Sequence, residues 1–407
     1  MGLTAFGPSC MGRDAYQRKR IFSVEGGLFL IQSGKPVKRY LQARRRPVDA
    51  TLLTILALLL MGGLLTLFSA TYYKAVDHGD ALLEVKRQLV GVGLGAVLML
   101  ITSRIPYTFW RDSRIVVAAL AVSYLLLILV IIPGVGVYLN GSRRWLRIAG
   151  MSFQPSEVAK IASVLYLSST LSYRFKQVEK LVRGIVPLLI VPGVMFLLIL
   201  EQPNLSTAGS IVIVAVLMML LAGAKWGHLT LMGVAGLCLG AVYAWIEPYR
   251  RERLLSFRDP FAQMNDEGYQ LAQSLIAIGS GGLFGRGLGQ GRQKFSFLPY
   301  PESDFIFAIV GEDFGMLGCM AVILLFVAFA FAGMRIAVSC PDRYGCLLAA
   351  GLTAMITVQA ALNIAVVIGV MPTTGLPLPF FSAGGTSVSL LMASTGIILS
   401  VSRSSIR

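Results

Sequence analysis

The segment TLLTILALLLMGGLLTLFSA, residues 51–70, decides the fold class because it is long, apolar and free of charge. An α-helix needs about 20 consecutive apolar residues to cross the hydrocarbon core of a bilayer. Similar apolar stretches recur along the chain, whereas the strands of a membrane β-barrel would be shorter and would alternate in polarity. The sequence therefore predicts an all-α integral membrane protein.

Composition supports this class. The 407 residues have a mean hydropathy of +0.73, and only 14% are charged, against about 25% in soluble domains. The number of cysteines, 5, is odd, and none falls in a segment predicted to lie outside, which disfavours a disulfide framework. The two histidines, His78 and His228, disfavour a His-rich metal site and a Ser-His-Asp triad.

Ten transmembrane helices are predicted, with a large extracytoplasmic loop between the seventh and the eighth. Their approximate bounds are 50–70, 88–103, 114–133, 156–173, 184–200, 206–222, 228–246, 304–334, 345–369 and 384–402. The corresponding regions are a basic cytoplasmic tail (1–46), the ten-helix membrane domain (47–403, with 247–303 as the large outer loop) and a cytoplasmic C-terminus (404–407). The polar, basic start of the chain disfavours a cleavable signal peptide.

Lysine and arginine orient these helices. The tail before residue 47 holds ten of the 36 basic residues, and the short loops 104–114, 174–183, 223–227 and 335–344 hold ten more. Basic residues favour the cytoplasmic side, so both termini are predicted to be cytoplasmic in the inner membrane. The net charge of +16 therefore mostly reflects membrane topology. A nucleic-acid partner is disfavoured, because the sequence predicts no soluble basic domain that could bind one.

Two predicted outer loops break this charge rule. Loop 140–157 contains Arg143, Arg144 and Arg147, and the long loop 247–303 contains further basic residues such as Arg253. One explanation is that long loops escape the rule and that arginines extend to lipid head groups. The other is a polyanionic ligand such as a lipid diphosphate, which the planar guanidinium fork binds well.

The long outer loop also carries a patterned segment. Leu271, Leu275 and Ile278 share one face of a predicted helix, and the glycine-rich tract GSGGLFGRGLGQG, 279–291, follows. The tract lacks the Gly-Lys-Ser/Thr ending of a Walker loop and the preceding strand of a dinucleotide-binding motif. Two interpretations stay open: an interfacial or re-entrant helix with a flexible lid, or backbone N–H groups that approach a phosphate.

Several polar side chains fall inside predicted helices. Glu157 and Lys160 are three residues apart and can pair on one helix face, and Glu201 ends the fifth helix. Such ionisable groups either hold the bundle together or mark a functional site. Gln359 and Asn363, one turn apart, are predicted to form interhelical hydrogen bonds.

The segment LPYPESDFIFAIVGEDFG, 298–315, places Asp304 where an outer loop meets an apolar helix. The loop MPTTGLPLPFFSAGG, 371–385, must be irregular, and irregular backbone at membrane depth survives only where protein or water lines it. These features predict a polar cavity open to the outside, with Asp304 at its mouth. Two classes of function fit: an enzyme acting on a lipid-linked anion, and a transporter of such a lipid.

Together these motifs resemble the SEDS family (shape, elongation, division and sporulation), which includes FtsW and RodA. The matching segments, in family order across about residues 50–403, are NGSRRWL, FQPSEVAK, LEQPNLST, RERLLSFRDPF, GYQLAQSLIAIGSGGLFGRGLG, LPYPESDFIFAIVGEDFG and NIAVVIGVMPTTGLPLPFFSAGGTS. The resemblance implies a peptidoglycan glycosyltransferase that polymerises lipid II at the outer face of the membrane. It also implies a class B penicillin-binding protein as partner.

The family's essential aspartate, in its T-D-F-I-F motif, matches Asp304. The resemblance implies that Asp304 is a general base that accepts the proton of an acceptor 4-hydroxyl, with inversion at the donor carbon and undecaprenyl diphosphate as leaving group. An acid at a helix start is also favoured by the helix dipole alone. Arginines, or a divalent cation such as Mg or Mn, would stabilise the diphosphate; no other cofactor is predicted.

Further positions are carried over from the family's motifs. The candidate substrate-binding residues are Arg143, Arg144, Trp145, Glu157, Lys160, Glu201, Arg253 and Ser382. Glu312 and Asp313 match a G-E-E motif and are interpreted as structural. Asn204 stands where the family has an acid, so no essential carboxylate is expected there, and Tyr300 and Ala383 also depart from the pattern.

Within the family, a division-type, FtsW-like member is favoured, with a RodA-like elongation member as the alternative and a sporulation-type member left open. A lipid II flippase is a rival from another class; it would need a path open alternately to both sides, often built on inverted repeats, and no convincing repeat is present. A scaffold that merely binds divisome proteins would leave Asp304 unexplained. The expected partners are lipid II, the penicillin-binding protein, other divisome proteins and membrane lipids.

Overall fold

The computed structural model describes residues 23–24, 27–28, 47–77, 82–139, 142–148, 151–246, 251, 256–262, 268–295 and 297–404. The chain divides into two units, 1–44 and 45–407. In the first unit, strands β1 (Ser23–Val24) and β2 (Gly27–Leu28) pair antiparallel. Most of the predicted basic tail lies outside the described residues, and so does Arg253.

The second unit is helical. Its α-helices are α1 (Ala50–Asp77), α2 (Leu83–Arg104), α3 (Ser113–Ile131), α4 (Pro155–Arg174), α5 (Val186–Leu200), α6 (Leu205–Leu221), α7 (Trp226–Ile246), α8 (Tyr269–Gly281), α9 (Ile306–Val338), α10 (Arg343–Val367) and α11 (Gly385–Ser402). A 3₁₀ turn, Tyr107–Arg111, precedes α3, and a π-helical turn, Leu181–Ile185, precedes α5.

The predicted membrane segments all coincide with helices of this unit. In the described part of the chain, 7 helices are long and apolar enough to cross a membrane, and α6 is a shorter apolar helix. The chain is therefore a multi-pass helical membrane protein, and the count of ten crossings stays a prediction. The amphipathic stretch of the long loop is confirmed as a helix, α8.

Burial separates interior helices from peripheral ones. Within the most apolar stretch of each helix, 67% of the residues are buried in α10 and 72% in α11. In α2 and in α3 the share is 22%. Small residues bring α2 and α11 together: Gly91 lies against Gly385, and Ser389 Oγ donates to the Gly91 carbonyl at 2.7 Å. Small residues permit such close backbone approach in membrane helices, so α11 is held inside the bundle.

The two ends of the membrane unit meet. The backbone N–H of Asp49, just before α1, donates to Ser402 Oγ at the end of α11 over 3.2 Å. The Asp49 carboxylate also pairs with Arg335 of α9 at 2.7 Å. Ser400 Oγ donates to the carbonyl of Ile105, which follows α2, at 2.5 Å. Both ends of the unit therefore lie at the same end of the bundle, as an even number of crossings requires.

A small antiparallel sheet joins α3 to α4, where the sequence predicted only a loop. Its strands are β3 (Gly136–Leu139), β4 (Ser142–Ile148) and β5 (Met151–Phe153). Val137 pairs with Trp145, Arg147 pairs with Ser152, and the register shifts between Val137 and Tyr138. Because β4 is paired on both sides, its arginines are carried on ordered backbone rather than on a flexible loop.

Helix α9 is not one straight helix, as the sequence predicted, but doubles back at Gly315. Gly315 has φ 67° and ψ −162°, a conformation that essentially only glycine adopts. A Cβ atom on Gly311 would lie 3.3 Å from Sγ of Cys319, although residues eight apart in a straight helix are separated by about 12 Å along the axis. The buried short arm, 306–314, therefore packs against the start of the long arm, 316–338.

The glycine-rich tract fills the break in α9. The backbone N–H groups of Met316 and Leu317 donate to the carbonyls of Gly282 and Leu283 at 2.9 and 3.2 Å. In return, the N–H of Arg286 donates to the Glu312 carbonyl at 2.9 Å. Backbone groups left free by a helix break must find partners when buried, and the tract supplies them.

Candidate active site

Asp304 lies half-buried at the entry to the short arm of α9. Its backbone carbonyl accepts a hydrogen bond from Asn363 Nδ2 of α10 at 2.7 Å. Its carboxylate oxygen Oδ1 accepts one from Ser303 Oγ at 3.0 Å. The reversal at Gly315 thus brings Asp304 against the buried helix α10 and does not leave it at the tip of a long helix.

Arg144 of β4 faces Asp304 across Gly375. A Cβ atom on Gly375 would lie 3.3 Å from Asp304 Oδ2 and 3.4 Å from Arg144 Nη1. The guanidinium is held from behind, because Nε donates to the Gln202 carbonyl at 3.0 Å and Nη2 donates to the Pro203 carbonyl. The structure therefore brings two predicted site residues together from positions 160 apart in the chain.

Glu157 and Lys160 form the predicted pair on α4, with Lys160 Nζ 2.8 Å from Glu157 Oε1. Both are buried, with 3% and 2% of their surface exposed. Lys160 Nζ also donates to Gln359 Oε1 of α10, and Gln359 Nε2 donates to the Pro377 carbonyl at 2.9 Å. A buried lysine is tolerated when a carboxylate and a further acceptor surround it, and here it connects α4 to the proline-rich loop.

That loop is fastened residue by residue around Gly375. Ser206 Oγ donates to the Thr374 carbonyl at 3.2 Å, and Asn363 Nδ2 donates to the Leu376 carbonyl at 2.6 Å. The Pro377 carbonyl is held as just described. The sequence predicted interhelical hydrogen bonds from Gln359 and Asn363. Gln359 forms one with Lys160 of α4, and both residues also donate to loop carbonyls.

The other predicted substrate-binding residues have more varied positions. Ser382 is buried, donates to the Ser303 carbonyl at 2.5 Å and accepts from the Leu378 N–H at 2.8 Å. Arg143 and Trp145 are half-buried on β4, and the Arg143 guanidinium carbon lies 5.9 Å from the Tyr138 ring centroid. Glu201 is exposed at the end of α5. Their roles in binding stay predictions.

Glu312 has a structural role. Its Oε1 atom accepts hydrogen bonds from the backbone N–H groups of Arg292 at 2.6 Å and Gln293 at 3.1 Å. Because Glu312 is fully buried, these hydrogen bonds satisfy a polar group that would otherwise lose its partners on leaving water. Within the glycine-rich tract, the N–H groups of Arg286 and Gly287 donate to the carbonyls of Glu312 and Asp313 at 2.9 and 3.0 Å. These contacts with protein acceptors disfavour a phosphate loop.

Asp313 belongs to a second buried cluster. Lys294 Nζ lies 2.9 Å from Asp313 Oδ1 and donates to Ser69 Oγ of α1 at 2.7 Å. Ser69 Oγ in turn donates to Asp313 Oδ2. Lys294 belongs by sequence to the basic residues of the long outer loop, 247–303, and no pattern predicted its burial. Lys294 stands in GRQKF, just after the glycines. Nothing in this segment indicates that Lys294 contacts Ser69, which is 225 residues away in the sequence.

In the described residues, no three acidic, histidine or cysteine side chains come together in a way that would hold a metal ion. The acids nearest the candidate site are instead engaged with protein donors. Binding of a divalent cation therefore stays a prediction, in which the cation accompanies the diphosphate of the substrate.

The sequence matches a family model that covers residues 49–406 and is described as the FtsW/RodA/SpoVE cell cycle proteins. The chain belongs to this family. Both Asp304 and Arg144 fall within the matched range, as do all the other predicted site residues.

Individual FtsW/RodA/SpoVE relatives agree with this assignment. Stage V sporulation protein E of Bacillus subtilis is 40% identical over 87% of this chain and 97% of its own length. A probable peptidoglycan glycosyltransferase FtsW of Trichlorobacter lovleyi is 35% identical over 87% of this chain and 93% of its own.

Solved structures of the family share the fold. A chain from a peptidoglycan synthase complex, studied for its coordination of polymerization and crosslinking, superposes with a TM-score of 0.73. It is 28% identical and covers 88% of this chain and 98% of its own. The rod shape determining protein RodA of Thermus thermophilus gives a TM-score of 0.64 at 26% identity, over 88% and 98%.

Proposed function

We propose that this chain is a peptidoglycan glycosyltransferase that polymerises lipid II at the outer face of the cytoplasmic membrane. The observation that carries the proposal is the proximity of Asp304 Oδ2 and Arg144 Nη1, which lie 3.3 and 3.4 Å from the Cβ position of Gly375. A carboxylate that can accept a proton and a guanidinium that can stabilise negative charge are the groups this transfer needs. Relatives named as probable peptidoglycan glycosyltransferases support the substrate class.

The reaction follows from these two groups. The acceptor's GlcNAc 4-hydroxyl transfers its proton to Asp304 as its oxygen bonds to C1 of the donor's MurNAc. The bond from C1 to undecaprenyl diphosphate breaks, and the leaving group takes the electron pair, with inversion at C1. Arg144 stabilises the negative charge that develops at the site. The Lys160–Glu157 pair, through Gln359, supports the loop that contains Gly375. A divalent cation, Mg or Mn, would accompany the diphosphate.

The proposed orientation places the Asp304 end of the bundle outside. The opposite end holds Asp49, Arg335 and Arg403, and the short loops there are rich in basic residues. Basic short loops remain cytoplasmic, so both termini are proposed to be cytoplasmic. This orientation gives the site access to lipid II after its transfer across the membrane.

The primary test is glycan formation from purified lipid II by wild type and by Asp304→Asn, each with and without the partner protein. The amide keeps the shape of the carboxylate but accepts no proton at neutral pH. We therefore expect the rate of polymerisation to fall by at least about 100-fold, the lower range for a general base. Asp112→Asn is the matched control, since Asp112 is a helix-capping acid before α3, away from the site.

Three outcomes contradict parts of the proposal. Normal polymerisation by Asp304→Asn would remove Asp304 as the base. Equal losses in both variants would indicate a general effect on folding. An inactive wild type that moves lipid II across liposomes, even when its partner is present, would replace the enzyme by a flippase. Chelation of divalent cations, followed by addition of Mg or Mn, tests the metal requirement in the same assay.

The proposed partner is a class B penicillin-binding protein that docks on the long arm of α9. Leu317, Met320, Leu324, Val327 and Phe331 are all exposed there, at alternating spacings of three and four. An exposed apolar stripe with this spacing can pack against another membrane helix, and its continuity with the candidate site at the start of α9 favours this helix for the partner. A single membrane helix of the partner fits this stripe.

This partner surface is tested by Leu324→Asn, with Leu125→Asn on α3 as the control, since both leucines are exposed. We expect the stripe variant alone to lose co-purification with the partner. Equal binding by both variants would rule out the stripe.

The relatives also bear on the cellular process. The chain is 40% identical to a sporulation protein and 35% identical to a probable FtsW, which supports the sporulation branch at least as well as the division branch that the sequence favoured.

A further inference from the structure

The end of the bundle opposite Asp304 carries arginines that lie on aromatic rings. The guanidinium carbon of Arg343, at the start of α10, lies 3.6 Å from the ring centroid of Phe175, which directly follows α4. The guanidinium carbon of Arg111, in the 3₁₀ turn before α3, lies 4.7 Å from the ring centroid of Tyr173. Because Tyr173 and Phe175 are two residues apart, both guanidinium groups are held at neighbouring points near the end of α4.

The two guanidinium groups are fixed in place, yet most of their N–H groups have no acceptor. Arg111 Nε donates to the Tyr173 hydroxyl at 3.1 Å, and its guanidinium carbon also lies 6.0 Å from the ring centroid of Tyr344, a side chain that is 1% exposed. A guanidinium that lies on a ring face keeps the N–H groups at its edge for other acceptors. Within the residues that the structure describes, the Arg343 side chain has no acceptor, and that of Arg111 has only the Tyr173 hydroxyl.

Positive charge is in excess at this place. Lys176 Nζ lies 5.9 Å from the ring centroid of Phe175, the same ring that Arg343 contacts. In the described part of the chain, neither arginine nor Lys176 forms an ion pair with a carboxylate. Of the acids nearest in sequence, Asp342 binds a tyrosine hydroxyl and Asp112 caps α3. Like charges held close together repel, so a bound anion would stabilise this arrangement.

We propose that this aromatic–arginine cluster, formed by Arg111, Tyr173, Phe175, Lys176 and Arg343, binds the phosphate headgroup of an anionic phospholipid in the inner leaflet. The planar fork of arginine donates in pairs to phosphate oxygens. Basic pockets between membrane helices on the cytoplasmic side suit such headgroups. The choice of leaflet rests on the proposed orientation of the chain, and no part of the proposal requires the polymerase activity.

The surroundings of the cluster favour a lipid over an acidic segment of another protein. Helix α4 ends at Arg174, whereas α3 and α10 begin at Ser113 and Arg343, so the cluster lies where membrane helices end. Tyr173 is 65% exposed and Phe109 is 45% exposed, and exposed aromatic rings are typical of the membrane interface. Helix α3 is peripheral, with 22% of its most apolar stretch buried. It therefore offers apolar surface to acyl chains beside the headgroup.

The test measures lipid binding by the purified wild type in a neutral detergent. Phosphatidylglycerol or phosphatidylcholine with identical acyl chains is added, and the retained lipid is measured by native mass spectrometry together with the unfolding midpoint. We expect phosphatidylglycerol to be retained more strongly and to raise the midpoint more, because a ligand that binds the folded state stabilises it. Equal retention of the two lipids by the wild type would overturn the proposal without any variant.

A pair of double variants tests whether the ring-held arginines provide this preference. Arg111→Gln with Arg343→Gln should weaken phosphatidylglycerol binding by about 30-fold, the combined effect of two basic residues beside an anionic lipid. The control, Arg183→Gln with Lys225→Gln, removes as much charge from two exposed residues of the basic short loops, neither of which contacts a ring in the described residues. We expect the control to bind like the wild type. Equal losses in the two double variants, or wild-type binding by the first, would overturn the proposal.

Two further measurements identify what occupies the cluster. Tyr173→Leu keeps every charge but removes the ring and the hydroxyl that hold Arg111, so we expect weaker phosphatidylglycerol binding and an unchanged midpoint without lipid; wild-type binding would show that the ring has no role. Inorganic phosphate and a polyglutamate peptide are then added as competitors. Displacement by either at the concentration of the lipid would overturn the lipid assignment. None of these readouts involves glycan formation, so the lipid site and the proposed function can fail separately.

Discussion

Replacing Lys294 by methionine should destabilise the protein more than any surface charge change. The Lys294 side chain is 2% exposed and that of Asp313 is fully buried, and their charged atoms are 2.9 Å apart. The substitution leaves the Asp313 carboxylate in the interior, with the Ser69 hydroxyl as its remaining side-chain partner among the described residues. Removing one member of a buried ion pair costs about 3–5 kcal/mol, because the remaining charge is desolvated without compensation.

The second member of the pair supplies the decisive control. In the double variant Lys294→Met with Asp313→Leu, no charge remains buried, and most of the lost stability should return. Arg87→Met is the surface control: Arg87 pairs with Glu84 at 2.6 Å, but the two side chains are 66% and 36% exposed. Exposed pairs of this kind contribute about 0–1 kcal/mol.

The assay is reversible unfolding in mixed micelles of the wild type, both single variants, the double variant and Arg87→Met. The reasoning fails if Lys294→Met costs no more than Arg87→Met. It also fails if the double variant is as unstable as the sum of its two single variants, because the two charges would then act independently. A coupling of several kcal/mol would show that this cluster fastens the outer loop to α1 and α9.

Three further predictions concern other parts of the fold. Gly315→Ala should lower the unfolding midpoint, since its Cβ would lie 2.4 Å from the Gly285 nitrogen and the backbone strain alone costs about 1–3 kcal/mol; an unchanged midpoint would contradict the reversal of α9. Asn363→Ala should leave two loop carbonyls short of a donor, at about 1–3 kcal/mol each, and lower turnover as the loop loosens; wild-type turnover and stability would contradict this. Burial, aided by the Asp342 carboxylate, raises the pKa of the Cys340 thiol to about 12, so the reactive thiolate is scarce until the pH approaches that value. Native labelling of Cys340 at pH 8 should therefore be far slower than labelling after denaturation, and equal rates would refute its burial.

The spans could be predicted from sequence because a bilayer demands long apolar runs, and short-range spacing was equally informative. Glu157 and Lys160 pair as their separation of three residues predicts, and α8 forms where Leu271, Leu275 and Ile278 share a face. In each case, the constraint lies within one or two helical turns. Local pattern therefore suffices for helices and for contacts along a single helix.

The features that escaped prediction depend on distant residues or on a single backbone angle. The reversal of α9 rests on Gly315, which the apolar periodicity of the flanking residues conceals. The approach of Arg144 to Asp304 depends on that reversal and on the sheet after α3. Gln359 and Asn363 were correctly expected to donate hydrogen bonds inside the protein, but their acceptors are loop carbonyls, which no spacing rule specifies.

The contact between α2 and α11 constrains how the protein is made. Helix α2 is synthesised well before the partner of its glycine face, Gly385 to Met392: Ser389, which binds the Gly91 carbonyl, follows 298 residues later. Until then α2 has only lipid or an insertion factor against Gly91 and Gly95. Helix α11 thus completes the packing of α2, and a chain that stops before α11 also lacks the Ser402 contact at Asp49. A chain truncated before α11 therefore exposes the glycine-rich face of α2 that the full contact buries.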